Sequence, residues 1–548
     1  MASDRPNVLL IMTDEERHPP HYETDVLAEF RSERLPAHAA LAARGVCFDR
    51  HYTAATACLP SRSSLFTGQY PSLHGVRNTD GLAKSAADPA MVWLDPDQVP
   101  TMGDWFRAAG YETHYRGKWH ISHAEMCITG THHAFLTNTA DGAPIPDAVD
   151  AYRRADRLEP YGFSGWIGPE PHGANPANTG LARDGLFAQQ VTDLLDRFGA
   201  RKDDSPPWLC VASFVNPHDI VFSGMGWKAF GFPPVPDWVP EVPEAPSQSD
   251  RLDDRPAAQQ AFREAWSKML YPQPADEEYR RLYHFLIAEV DTQIGRILHS
   301  LERNGLADDT VVVLTSDHGD MLGAHGGLQQ KWHNAYDEAI RVPLVVAGPG
   351  IGGPPGAASG GIAAPTSHID ILPTLLGLVG ASPQDLAPAV SAYHTEVRDL
   401  PGRNLSGLLL GAEPAPEGDA ADPIYFMTED QISRGLRNVG LVSGQEFEPV
   451  PAPAAVETVV AEHDGRLWKL NRYYAGPDGP PHDAGAAASD RPGAGGPEDW
   501  ELHDLSGDPG ERENLVASAP ATTAAMRDHL ERIRATHRLA PTAPAGPG

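Results

Sequence analysis

The chain has 548 residues, and 43 Lys+Arg against 74 Asp+Glu give it a formal charge of −31. So acidic a protein is neither a nucleic-acid coat nor an anionic-membrane binder, since both need basic surface to displace counterions. Four cysteines with no C-x-x-C pair exclude a disulfide framework and a zinc ribbon.

The first apolar run, Val8 to Met12, is shorter than the h-region of a signal peptide and has no cleavage site behind it, so it reads as a core strand. No segment approaches the roughly 18 apolar residues of a membrane span. The expectation is a cytoplasmic protein with no membrane contact. Further short runs follow at Tyr111 to Tyr115, Trp208 to Val215, Thr310 to Thr315 and Val342 to Ala347, each too brief for a helix. The first four of these five runs end in chemistry: Asp14 and Glu15, then Lys118 and His120, then Asn216-Pro217-His218, then Asp317-His318-Gly319. Between the runs lie helical stretches, clearest at Leu282, Leu286, Val290, Ile294, Ile297 and Leu301, which recur with a 3.6-residue period. Alternating strands and helices predict an α/β fold with a mostly parallel central sheet sandwiched by helices. Ligands of such sheets bind beyond the carboxyl ends of the strands, which is where these acids, lysines and histidines are delivered.

A spacer-rich stretch at 224–260 reads as an insertion over that rim, of the kind that shapes specificity. After residue 400 the texture changes. Pro- and Gly-rich spacers at 411–423 and 476–497 flank and separate strand-like pieces at 466–474 and 500–505, and a helix-like tail follows at 522–537. The expected organisation is a main domain over 1–432 and a small C-terminal α+β subdomain over 433–548, with antiparallel strands and a terminal helix.

The most informative segment is Cys58-Leu59-Pro60-Ser61-Arg62 through Thr67-Gly68. Pro60 suits the first helical position and Gly68 a helix end, which puts Cys58 at a helix N-terminus that favours an anion, with Arg62 adding positive charge. A lone cysteine there would read as a buried structural residue. The pattern C-x-P-S-R-x-x-x-x-T-G, however, resembles the signature of the sulfatase family. Gly117-Lys118-Trp119-His120 is similar to that family's G-K-W-H element, and Pro217-His218 to its later P-H element. Segments 367–375 and 501–515 resemble further family signatures, so the likeness runs from residue 6 to about 515.

The resemblance implies that Cys58 is converted to formylglycine by a separate maturation enzyme, and that its hydrated aldehyde is the nucleophile. Asp14, Glu15, Asp317 and His318 then match the family's divalent-metal ligands. Glu15 and His318 depart from its commonest pattern, and an imidazole donor suits manganese better than calcium. Calcium is expected first and manganese second. Lys118, Lys331 and Arg62 would offset anionic charge, His218 with Lys331 would protonate the leaving alkoxide, and His120 would act as the closing base. Asn78, twenty residues past Cys58, is a candidate contact to the transferred group. His18, His21, His123, His132 and His133 match no ligand spacing, and Asp320 and His325 take no role. The expected activity is arylsulfatase-like hydrolysis of small sulfate monoesters. Phosphonate or phosphate ester hydrolysis is the alternative within the same chemistry, and a non-catalytic binder of sulfated ligands the alternative outside it. The alcohol half of the substrate has no readable code.

Overall fold

The computed structural model describes residues 5–542 except 132, 172–174, 203–204, 353–360, 415–421 and 477–497. The second low-complexity spacer from 477 on, most of the first, and His132 lie outside the described residues.

The strand runs form one six-stranded sheet. Its members are β1 (Asn7–Asp14), β2 (Gly45–Cys47), β3 (Glu112–Gly117), β4 (Trp208–Pro217), β5 (Thr310–Ser316) and β6 (Leu344–Ala347). They lie in the order β2-β6-β5-β1-β4-β3. The four consecutive strands β5, β1, β4 and β3 are parallel, while β6 and β2 add antiparallel edges. The run read as one strand over 342–347 is two. Arg341–Val342 joins His51–Tyr52 and Thr366–Ser367 in a small side sheet, and the chain switches sheets at Pro343, which has no N–H for a ladder.

Both faces of the central sheet are covered, so β1, β4 and β5 run apolar through their middles, with Ser213 an exception in β4, and turn polar where they end. Val8, Leu10 and Met12 of β1 pack with Leu65 and Phe66 of α1 (Cys58–Thr67). Leu9 and Ile11 face the other way, against Val191 and Leu195 of α2 (Gly180–Gly199), and against Val290, Ile294 and Ile297 further along the chain. A shorter helix, α3 (Ala257–Met269), precedes α4 (Glu277–Arg303), whose predicted stripe is buried throughout.

The C-terminal region forms an antiparallel sheet of β7 (Ile424–Thr428), β8 (Ala455–His463), β9 (Arg466–Tyr474) and β10 (Asp499–Asp504). Its outer face is closed by Met526, Leu530 and Ile533 of α5 (Pro520–His537). Among the described residues no helix is long and apolar enough to cross a membrane.

Candidate active site

The site is built where β1 and β5, neighbours in the sheet, release their chains. Asp14 ends β1, and Glu15 turns the chain with φ of 73°. That left-handed turn is held from three sides: Glu15 N donates to Asp317 Oδ1 (3.0 Å), Glu16 N to Ser316 Oγ (2.9 Å), and Tyr283 Oη to the Glu15 carbonyl (2.7 Å). Asp317 and His318 follow β5 directly. His318 Nδ1 lies 2.9 Å from the Gly319 carbonyl, which makes Nδ1 the protonated nitrogen and leaves the lone pair on Nε2. That Nε2 lies 3.1 Å from Cys58 Sγ, and Asp14 Oδ1 lies 3.7 Å from the same sulfur.

Cys58 is the first residue of α1, capped by Ala57, and the helix ends at Gly68 with φ of 64°. Pro60 therefore occupies the third helical position rather than the first. It is tolerated there because amides of the first turn have no partner inside the helix. One turn on, Arg62 donates Nε to Asp317 Oδ2 (2.8 Å) and NH2 to Asp14 Oδ2 (2.7 Å). Its NH1 reaches the Lys118 carbonyl and Ser213 Oγ, each at 2.9 Å. Lys118 Nζ sits 2.6 Å from Asp14 Oδ2, and Lys331 Nζ 3.1 Å from Glu15 Oε2.

Asp14, Glu15, Arg62, Asp317 and His318 are all fully buried. Burial raises a carboxyl's pKa, and neighbouring charge decides whether that wins. At Asp14 the Lys118 and Arg62 cations overcome burial and hold the carboxyl well below its usual range. At Glu15 burial prevails over Lys331, and the carboxyl is pushed well up. Glu15 Oε1 has no hydrogen-bond partner among the described residues. Ligand atoms of Asp14, Cys58, Asp317 and His318 lie within 4.8 Å of one another, as do those of Asp14, Glu15 and His218. An orphaned carboxylate oxygen beside a cluster of oxygen and imidazole donors fits a divalent cation, which would supply the charge that Glu15 lacks.

A cavity of about 390 Å³ opens onto Cys58, Lys118, His120, His218 and Lys331. His218 starts a short 3₁₀ turn (His218–Phe222) after β4, and burial together with Lys118 pushes its imidazole well down, to the neutral form. His120 Nε2 meets Asp80 Oδ1 at 2.7 Å, while the amides of Trp119 and His120 donate to Glu170. Asp80, Glu170 and Ser213 carry no motif or spacing signal; only the fold brings them to the residues they hold.

Asn78 does not line the cavity: its Oδ1 accepts the Gln431 amide (3.1 Å), and Thr79 and Asp80 reach the cavity instead. Arg62 stands one layer behind the cavity lining, its guanidinium held by Asp14, Asp317, Ser213 and the Lys118 carbonyl. Stretch 224–260 contributes no lining residue; Phe222 and Trp266, on its two sides, do. Asp320 accepts the amides of Leu322 and Gln330 and so shapes the loop that carries Lys331. His325 stacks on Tyr336 at 3.7 Å. None of the described histidines among 18, 21, 123 and 133 belongs to a metal-capable group.

The family model described as Sulfatase matches residues 6–381. A choline-sulfatase of Rhizobium meliloti is 28% identical over 397 residues, covering 71% of this chain and 70% of the relative. A solved 2-O GAG sulfatase superposes with a TM-score of 0.60 at 21% identity, covering 97% of this chain and 92% of that one. The phosphonate monoester hydrolase of Agrobacterium radiobacter superposes with a TM-score of 0.58 at 23% identity, over 97% and 96% of the two chains. At such identities the two superpositions establish a shared fold.

Proposed function

The chain belongs to the sulfatase family, and on that premise we propose that it hydrolyses sulfate monoesters at residue 58. The observation that carries the proposal is the meeting of Cys58, at the tip of α1, with Asp14, Asp317 and His318, beside a cavity faced by Lys118 and Lys331. Formylglycine made from Cys58 by a maturation enzyme would supply the nucleophilic hydroxyl, and a divalent cation, calcium before manganese, held by Asp14, Glu15, Asp317 and His318 would polarise the sulfuryl oxygens.

The encoded cysteine is itself a poor nucleophile here, because burial and the Asp14 carboxylate push its thiol up and keep it protonated. Arg62 is a positioning residue that fixes Asp14 and Asp317 from one guanidinium. Lys118 and Lys331 bring ammonium charge to the anionic ester in a site shielded from water, where it acts most strongly. His218 is neutral beside these lysines, and the negative charge of an arriving ester opposes their effect. It is thereby placed, with Lys331, to carry the proton that the departing alcohol oxygen needs. His120, with Nε2 held by Asp80, is the second proton carrier.

The test is production together with a formylglycine-generating enzyme. The peptide spanning residue 58 should become about 18 Da lighter as thiol gives way to aldehyde. Only the converted protein should hydrolyse 4-nitrophenyl sulfate, and Cys58→Ala should be inactive. A larger kcat/KM for 4-nitrophenyl phenylphosphonate would move the assignment to phosphonate esters. Sulfate-ester binding with neither conversion nor turnover would make the protein a non-catalytic binder.

A further inference from the structure

We propose that the alcohol half of the substrate is uncharged and largely apolar, an aryl or cycloalkyl group rather than a sugar. The inference rests on the sulfatase reading and concerns the remainder of the same cavity, where Phe222, Trp266, Leu270, Ile432, Leu441 and Val442 form a wall of carbon. The cavity as a whole, about 390 Å³, falls within the ~300–1,000 Å³ typical of small-molecule sites.

Two observations disfavour the other chemistries. A sugar ring brings several hydroxyls, each of which must find a partner when it leaves water. The carboxylates that line the cavity are already committed: Asp80 to His120, and Asp219 to the amides of Gly180 and Leu181 at 3.0 Å each. Asn178 likewise donates to the Glu170 carbonyl and accepts from Arg183. Thr79 is engaged by Asp430 and Gln330 by Tyr279, and Trp266 Nε1, which has no hydrogen bond among the described residues, offers a polyol little. A cationic alcohol half fares no better. Lys331 Nζ lies 4.7 Å from the ring centroid of Trp332, so an ammonium approaching that aromatic face would meet like charge.

The mouth of the cavity points to the same ligand class. Leu441 and Val442 line it and yet are 49% and 57% exposed. Their exposure is set by the backbone, because Leu441 N donates to the Met269 carbonyl (3.0 Å) and Ser443 N to that of Leu270 (2.9 Å), tying this segment to the end of α3. An apolar group entering the cavity would cover both side chains, and that burial is a source of affinity a sugar would not draw on.

The experiment uses the formylglycine-containing enzyme and two esters with matched six-membered rings and primary leaving oxygens, cyclohexylmethyl sulfate and glucose 6-sulfate. Each is measured as a competitor of 4-nitrophenyl sulfate. Cyclohexylmethyl sulfate should inhibit at a concentration at least tenfold lower. Trp266→Ala and Leu441→Ser should each narrow that gap to threefold or less, and their loss on 4-nitrophenyl sulfate should fall on KM more than on kcat. Equal or stronger inhibition by glucose 6-sulfate overturns the inference and leaves the sulfatase reading standing. Absence of 4-nitrophenyl sulfate turnover by the converted protein removes that reading, and the inference with it.

Discussion

Glu15 and Glu501 are both glutamates with no exposed surface, one at the rim of the central sheet and one on β10 of the C-terminal sheet. Glu501 is surrounded by donors. Tyr336 Oη and Tyr473 Oη each donate to it at 2.8 Å, Gln259 Nε2 lies 3.4 Å from both oxygens, and Arg255 NH1 stands 3.6 Å away. Burial alone would push its carboxyl up, but His503, Arg255 and the tyrosine hydroxyls bring it below the usual value. Glu15 has a single lysine nearby to offset its charge, and burial together with the neighbouring Asp320 carboxylate pushes its carboxyl up. The difference teaches how to read buried acids. One whose oxygens are all claimed joins two parts of a fold, whereas one left wanting beside a cavity waits for a ligand.

The most severe way to break this contrast is Arg62→Met, which strips Asp14 and Asp317 of their shared cation. Removing one partner of a buried ion pair costs about 3–5 kcal/mol. Denaturant unfolding should show a loss of that order, and sulfatase activity should vanish. Glu15→Gln comes next: turnover should fall ~100-fold or more, since a proposed metal ligand is lost, while the chelator-treated variant should melt no lower than chelator-treated wild type. A clear drop in melting temperature would mean that Glu15 is structural after all. Glu501→Gln should do the reverse, costing about 1–3 kcal/mol of stability for a disrupted buried network, with turnover per folded molecule nearly unchanged.

The two glutamates should also differ under acid. Because the folded pKa of Glu501 lies below its ordinary 4.5, its contribution is fully present above that pH and is lost as pH falls through the lower folded value. Glu501→Gln should therefore flatten the acid limb of stability measured by denaturant unfolding. In metal-free protein Glu15, with a raised pKa, should act in the opposite sense, since protonation relieves it. The smallest effect expected is that of Asp80→Asn, which keeps a partner for His120 but removes its charge; kcat should fall about tenfold, with an altered pH profile.

The sequence was a good guide wherever one strand or helix carries its own signal. Apolar runs placed β1, β3, β4 and β5, and the residues just past them are those that meet near Cys58. Pairings made across the fold left no such trace. Asp80 holds His120 from forty positions away, and Ser213, in the middle of an apolar strand, supports Arg62. No spacing rule distinguishes Asn78, whose Oδ1 accepts the Gln431 amide, from Asp80 two residues on, which reaches His120. The break at Pro343 went unread because apolar residues on its two sides look continuous although they serve different sheets. The carbon wall of the cavity was invisible for a related reason: its members share no periodicity.

That wall has a consequence for how such a molecule can change. Its pieces lie at Phe222, at Trp266 and Leu270, and between Ile432 and Val442, the last of these beyond the segment that the family model matches. None of these positions belongs to the cluster around Asp14 and Asp317. Descent can therefore rewrite what enters without disturbing what is done to it, and an engineer could do likewise by exchanging the 432–442 segment alone.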